Sequence, residues 1–181
     1  MQNFINFLTI SRIISAPVIF LLLLGHQYYI FAFLIFIFAG ITDYFDGFLA
    51  RKYKLTSSIG EVLDPIADKI LVIFILISIS INLNSFYIGF LSAIILSREV
   101  WVAALRDINS RNNNNAATEV TFLAKIKTTV QMFTISIYLF SLAINNALML
   151  VLSDISLLCA TFITAYTGII YTFKTFKKKD R

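Results

Sequence analysis

Asp43-Tyr44-Phe45-Asp46-Gly47-Phe48-Leu49-Ala50-Arg51, followed eight residues later by Gly60-Glu61-Val62-Leu63-Asp64-Pro65-Ile66-Ala67-Asp68, sets four carboxylates into the adjoining ends of two long apolar runs. Ionised groups there are costly unless paired or metal-bound. The surrounding chain sharpens the conflict. Of its 181 residues 59% are hydrophobic and 14% charged, against roughly 45–50% and about 25% for a soluble domain. This excludes an ordinary water-soluble fold. No Gly/Pro/Ser-rich linker divides the chain, so residues 1–181 read as one membrane domain.

A spanning helix needs about 20 mostly apolar residues. Six segments qualify: Ile10 to Leu24, Tyr28 to Ala50, Val62 to Ile81, Phe86 to Leu105, Phe122 to Asn145 and Ala147 to Phe173. The expected fold is an all-α integral membrane protein of six transmembrane helices. Residues 4–8 either extend the first span or form a short N-terminal interfacial helix. Ile13 to Leu24 reads as a retained span, since Gly25-His26-Gln27-Tyr28 offers no small-residue cleavage site.

Gly25 to Gln27, Asn82 to Ser85 and the Asn145 to Asp154 region contain no Lys or Arg. Arg12, the Arg51-Lys52-Tyr53-Lys54 loop, the Arg106 to Glu119 loop and the Lys174 to Arg181 tail fall on the other side. The positive-inside rule then puts both termini in the cytoplasm. The net charge of +5 arises from these clusters beside apolar runs, which argues against a nucleic-acid partner and for contact with membrane lipids. Cys159 reads as a small buried apolar residue, and His26 lies on the far side from the acids.

At about 100° per residue, Asp43, Asp46, Gly47 and Ala50 share one helical face. Gly60, Asp64 and Asp68 share another, whether the helix begins at Asp64 with Pro65 in its first turn or bends there. Four facing carboxylates would repel one another, and divalent cations would relieve this. Oxygen ligands without His or Cys favour a hard ion such as Mg²⁺, Mn²⁺ or Ca²⁺. Two such ions are the arrangement that clamps attacking and leaving oxygens in phosphoryl transfer. The plainer alternative, interfacial salt bridges to Arg51, Lys52, Lys54 and Lys69, leaves the accompanying Gly47 and Gly60 without a purpose.

Asp43-x2-Asp46-Gly47-x2-Ala50-Arg51-x8-Gly60-x3-Asp64-x3-Asp68 resembles the signature of the CDP-alcohol phosphatidyltransferase family, with every position filled. The resemblance implies a six-helix membrane enzyme, usually a homodimer, in which an alcohol displaces CMP from a CDP-linked lipid. It implies that Asp43, Asp46, Asp64 and Asp68 hold two divalent ions, Mg²⁺ or Mn²⁺, with Asp68 as base for the acceptor hydroxyl. It implies that Gly47, Ala50, Arg51 and Gly60 line the CDP pocket.

Asn6 to Arg12, Ser97 to Asp107 and Ala124 to Met132 resemble the phosphatidylglycerophosphate synthase branch of the family, although Ala124 stands where that branch commonly has glycine. The implied substrates are CDP-diacylglycerol and sn-glycerol 3-phosphate, and the implied setting is a bacterial inner membrane with a cytoplasm-facing site. The acceptor's phosphate needs cations, and Arg98, Arg106, Lys125 and Lys127 are the candidates. Lys125 and Lys127 point about 200° apart on a helix. Lys127 ranks higher because it shares its face with Ala124, Thr128 and Gln131. Arg98 has Glu99 beside it as a candidate ion-pair partner.

The alternatives are a cardiolipin, phosphatidylserine or inositol-lipid synthase of the same family, and, more remotely, a divalent-cation carrier. A carrier would continue its acids toward the outer face, where only Asp154 stands, read as lying at the far surface.

Overall fold

The computed structural model describes residues 2–53, 58–111 and 122–177, with side chains described over 7–45, 63–111 and 126–177. These residues form six α-helices: α1 (Gln2–Leu24), α2 (Tyr29–Tyr53), α3 (Ser58–Asn82), α4 (Phe86–Arg111), α5 (Phe122–Ile144) and α6 (Ala147–Phe176). α1 runs unbroken from Gln2 through Pro17, so residues 4–8 extend the first helix. Pro65 lies inside α3, which begins at Ser58, not at Asp64. Its missing N–H forfeits one intrahelical bond a turn below the acids.

Phe7–Leu24 in α1, α4, Ile126–Ile144 in α5 and α6 are long and apolar enough to cross a membrane. α2 contributes a shorter apolar stretch, Tyr29–Phe45. The six expected spans are thus six helices, of which four meet the span criterion over the described residues. The two that do not are the pair carrying the acids.

The helices pack as a ring: α1 against α2 and α3, α3 against α4, α4 against α6, α6 against α5, and α5 back against α2, with α3 also touching α5. Along α1 the buried positions Arg12, Ala16, Ile19 and Leu23 recur at helical spacing. Ala16, Ile19 and Leu23 meet Ala32, Phe36 and Ala39 of α2 and Leu71, Ile75 and Ile79 of α3 in one core. The alanines let backbones approach closely, as membrane helices require.

Polarity is distributed inside out. Phe7, Leu21, Phe38, Phe162 and Phe173 are more than half exposed, while Gln131, Thr134, Ser141, Ser153 and Thr164 are buried. Hydrogen bonds join α5 to α6 where Gln131 donates to Thr164 (3.0 Å) and Thr134 meets Ser156 (2.6 Å). In hydrocarbon, such pairing is what polar side chains between helices provide.

Three turns close the end away from the acids. His26, Asn84 and Asn145 each adopt positive φ just after a helix, and Ser85 N–H to Ser80 O and Asn146 N–H to Ser141 O complete Schellman-type stops. Asn82 donates to Leu23 O (2.6 Å) and lies 3.1 Å from His26 Nδ1, tying the first turn to the end of α3. His26 is therefore a structural residue at the opposite end of α3 from Asp64 and Asp68.

One expectation requires correction. Cys159 is exposed on α6, whose buried face is instead marked by Ser153, Leu157, Ala160, Thr161 and Thr164. Asp154 lies eight residues into α6. Its carboxylate accepts a 2.5 Å bond from Tyr138, and its backbone carbonyl accepts from Tyr87 (3.1 Å). The Tyr138 phenol thus gives the carboxylate a partner within the bundle.

Candidate active site

The ring encloses a cavity of about 670 Å³ at the end where α2 finishes and α3 begins. α2 contributes Asp43; α3 contributes Pro65, Asp68 and Lys69; α4 contributes Arg98, Glu99 and Arg106; α5 contributes Lys127, Thr128 and Gln131. Helices far apart in sequence thus bring acidic and basic candidates to one hollow.

On its acidic side, Arg12 Nη1 donates to Asp43 Oδ1 at 2.6 Å and to Asp68 Oδ1 at 2.8 Å. The arginine side chain is 1% exposed. Two carboxylates from different helices therefore converge on one positively charged atom. One turn earlier on α1, Thr9 Oγ1 donates to Asp64 Oδ1 at 2.7 Å, turning that acid toward α1. Asp64 is next to the cavity without lining it.

The sequence counts Arg12 only toward the basic side of the membrane and gives it no partner. In the fold it is a buried counter-ion. Thr9 and Arg12, three apart on one face of a largely apolar helix, were the available signal, because a polar pair on one helical face asks for partners.

On the basic side the sign is reversed. Glu99 Oε1 accepts from Arg98 Nη1 (3.0 Å) and also from Lys127 Nζ. Arg98 Nη2 donates to Thr167 on α6 (3.0 Å). A Cβ at Gly168 would come within 2.8 Å of Arg98 Cγ, so the arginine stem passes directly over the bare glycine. Arg106 is exposed at the cavity edge, its guanidinium 5.8 Å from the Tyr171 ring centroid. The expected Arg98–Glu99 pair is present, and Lys127 faces the cavity with Thr128 and Gln131 on its stripe. The second role of Glu99, as partner to Lys127, joins α4 to α5 across the cavity, between helices that do not pack directly, and has no local sequence signal.

Asp46, Gly47, Ala50, Arg51, Gly60 and Lys125 lie outside the residues whose side chains are described. Among the described residues no group of three potential metal ligands is gathered. Asp43 and Asp68 nevertheless suit a hard cation: both are oxygen donors, and both already converge on one positive centre.

Residues 2–169 match the family model described as CDP-alcohol phosphatidyltransferase. The chain is 40% identical over 185 aligned residues to a Rickettsia bellii protein named CDP-diacylglycerol–glycerol-3-phosphate 3-phosphatidyltransferase, covering 98% of this chain and 97% of that one. A Rickettsia typhi protein of the same name is 40% identical, with 98% of each covered. One from Blochmanniella floridana is 36% identical over 94% of this chain and 90% of its own.

Proposed function

The chain belongs to the CDP-alcohol phosphatidyltransferase family, and from that premise we propose that it makes phosphatidylglycerophosphate and CMP from CDP-diacylglycerol and sn-glycerol 3-phosphate. The observation that carries the reading is the single cavity with an acid pair on one wall and a cation pair on the other. A donor whose pyrophosphate needs a metal and an acceptor whose phosphate needs cations would meet there. The relatives' names supply the two substrates.

The family generally uses a divalent metal. Asp43, Asp46, Asp64 and Asp68 are the residues to hold two ions, Mg²⁺ or Mn²⁺, which when bound neutralise charge on the pyrophosphate. Gly47, Ala50, Arg51 and Gly60 line the CDP pocket. Arg98, Arg106 and Lys127, with Lys125 as a further candidate, take the acceptor's phosphate. In this reading the acceptor's terminal hydroxyl, remote from its phosphate, lies toward Asp68. The hydroxyl oxygen bonds to the phosphorus bearing diacylglycerol, the pyrophosphate bond breaks, CMP leaves, and the hydroxyl proton passes to Asp68.

All six helices cross the bilayer in this reading, with both termini and the basic segments in the cytoplasm. The cavity opens to the cytoplasm at the inner membrane of a bacterium, and the enzyme works as a homodimer. An acceptor screen tests the assignment. Purified protein with CDP-diacylglycerol and Mg²⁺ is expected to release CMP with glycerol 3-phosphate. Release with serine, inositol or phosphatidylglycerol but not glycerol 3-phosphate would overturn the acceptor.

A further inference from the structure

Transfer to glycerol 3-phosphate leaves the acceptor's own phosphate untouched, so the product carries the same dianion that the cations first gripped. A site built only for tight capture would also retain its product. The structure holds an internal competitor for that grip. One oxygen of Glu99 accepts from both Arg98 Nη1 (3.0 Å) and Lys127 Nζ. Its side chain is 14% exposed, and all three residues line the cavity. Arg98 has little freedom to turn elsewhere, since it is anchored on Thr167 and packed over Gly168.

We propose that Glu99 is a positioning residue that holds Arg98 and Lys127 together and competes with the phosphate for their protons, keeping the acceptor site from retaining its product. This inference rests on the assignment of Arg98 and Lys127 to the acceptor phosphate. The carboxylate does for the cations what a departing phosphate would otherwise leave undone: two buried like charges keep a counter-ion at every stage of turnover. Its single charge offsets one of the two, which weakens the site for any anion without dissolving it.

The test uses the purified full chain in detergent with Mg²⁺ and CDP-diacylglycerol, and inorganic phosphate as a competitive probe against glycerol 3-phosphate. In Glu99→Gln the amide keeps the shape and loses the competing charge. The inhibition constant for phosphate is expected to fall about tenfold, the order of one charge-assisted hydrogen bond. KM for glycerol 3-phosphate falls with it, and kcat falls as release slows.

A carboxylate that merely supports the fold would move these constants upward, or lower thermal stability and leave them unchanged; either result overturns the proposal. Should Glu99→Gln not fold, Glu99→Asp retains the charge but withdraws it by one methylene. A roughly threefold lower phosphate constant is then expected, and an unchanged or higher one overturns the role. Lys127→Gln separates the two levels of the argument. If it raises the phosphate constant while Glu99→Gln leaves it unchanged, only the role of Glu99 falls; if Lys127→Gln leaves it unchanged, the acceptor subsite falls and the inference with it.

Discussion

The two walls of the cavity are opposite in sign and alike in plan. On one, two carboxylates share a single guanidinium nitrogen of Arg12; on the other, two cations share a single carboxylate oxygen of Glu99. Each trio has one charge too many of its own kind. The acidic trio calls for a further cation and the basic trio for a further anion. A chemistry joining a metal-dependent pyrophosphate to a phosphate-bearing alcohol uses both demands.

Four substitutions probe that contrast. Asp68→Asn removes both the proposed base and half of the converging acid pair, and kcat should fall about 10²–10⁴-fold, read as CMP release under saturating substrates. Near wild-type turnover would remove the acidic wall from the chemistry. Lys127→Gln acts on the other wall, and KM for glycerol 3-phosphate should rise roughly tenfold or more. KM for CDP-diacylglycerol should stay near its original value; a rise in both would mean that the walls are not separate.

Arg12→Met leaves Asp43 and Asp68 facing each other without their counter-ion. Because both acids are partly exposed, the metal-free protein should lose about 2–3 kcal/mol, less than a fully buried pair would cost. Thermal unfolding in detergent would show it. Added Mg²⁺ should restore more stability to this variant than to the wild type, and an equal gain would argue that Arg12 does not stand at the cation's place. Gly168→Ala is the gentlest. Its methyl group must displace the Arg98 stem, and KM for glycerol 3-phosphate should rise about threefold, the low end of the cost of disturbing one charged hydrogen bond.

Much of this site was legible in the chain because the acids contradict their surroundings. Carboxylates beside apolar runs, with glycines one turn away, are expensive features that local spacing alone places on shared faces. The same arithmetic ranked Lys127 above Lys125 and paired Arg98 with Glu99. What escaped depends on which helix lies beside which. Arg12 looks like any basic residue near a membrane surface until α1 is seen packed between α2 and α3. The double use of Glu99 requires the ring that sets α4 and α5 across one cavity. Cys159 was misplaced because an apolar surrounding was taken for the core, whereas on α6 the small and polar Ser153, Thr161, Thr164 and Gly168 mark the buried face.

The central claim is that Asp43 and Asp68, drawn together from α2 and α3, form part of one divalent-cation site. Titration of the purified metal-free protein with Mn²⁺, followed by electron paramagnetic resonance, tests it without reference to turnover. Binding should be strong in the wild type and in Lys127→Gln, and each of Asp43→Asn and Asp68→Asn should weaken it by about tenfold or more. Unaltered Mn²⁺ affinity in both aspartate variants would contradict the account.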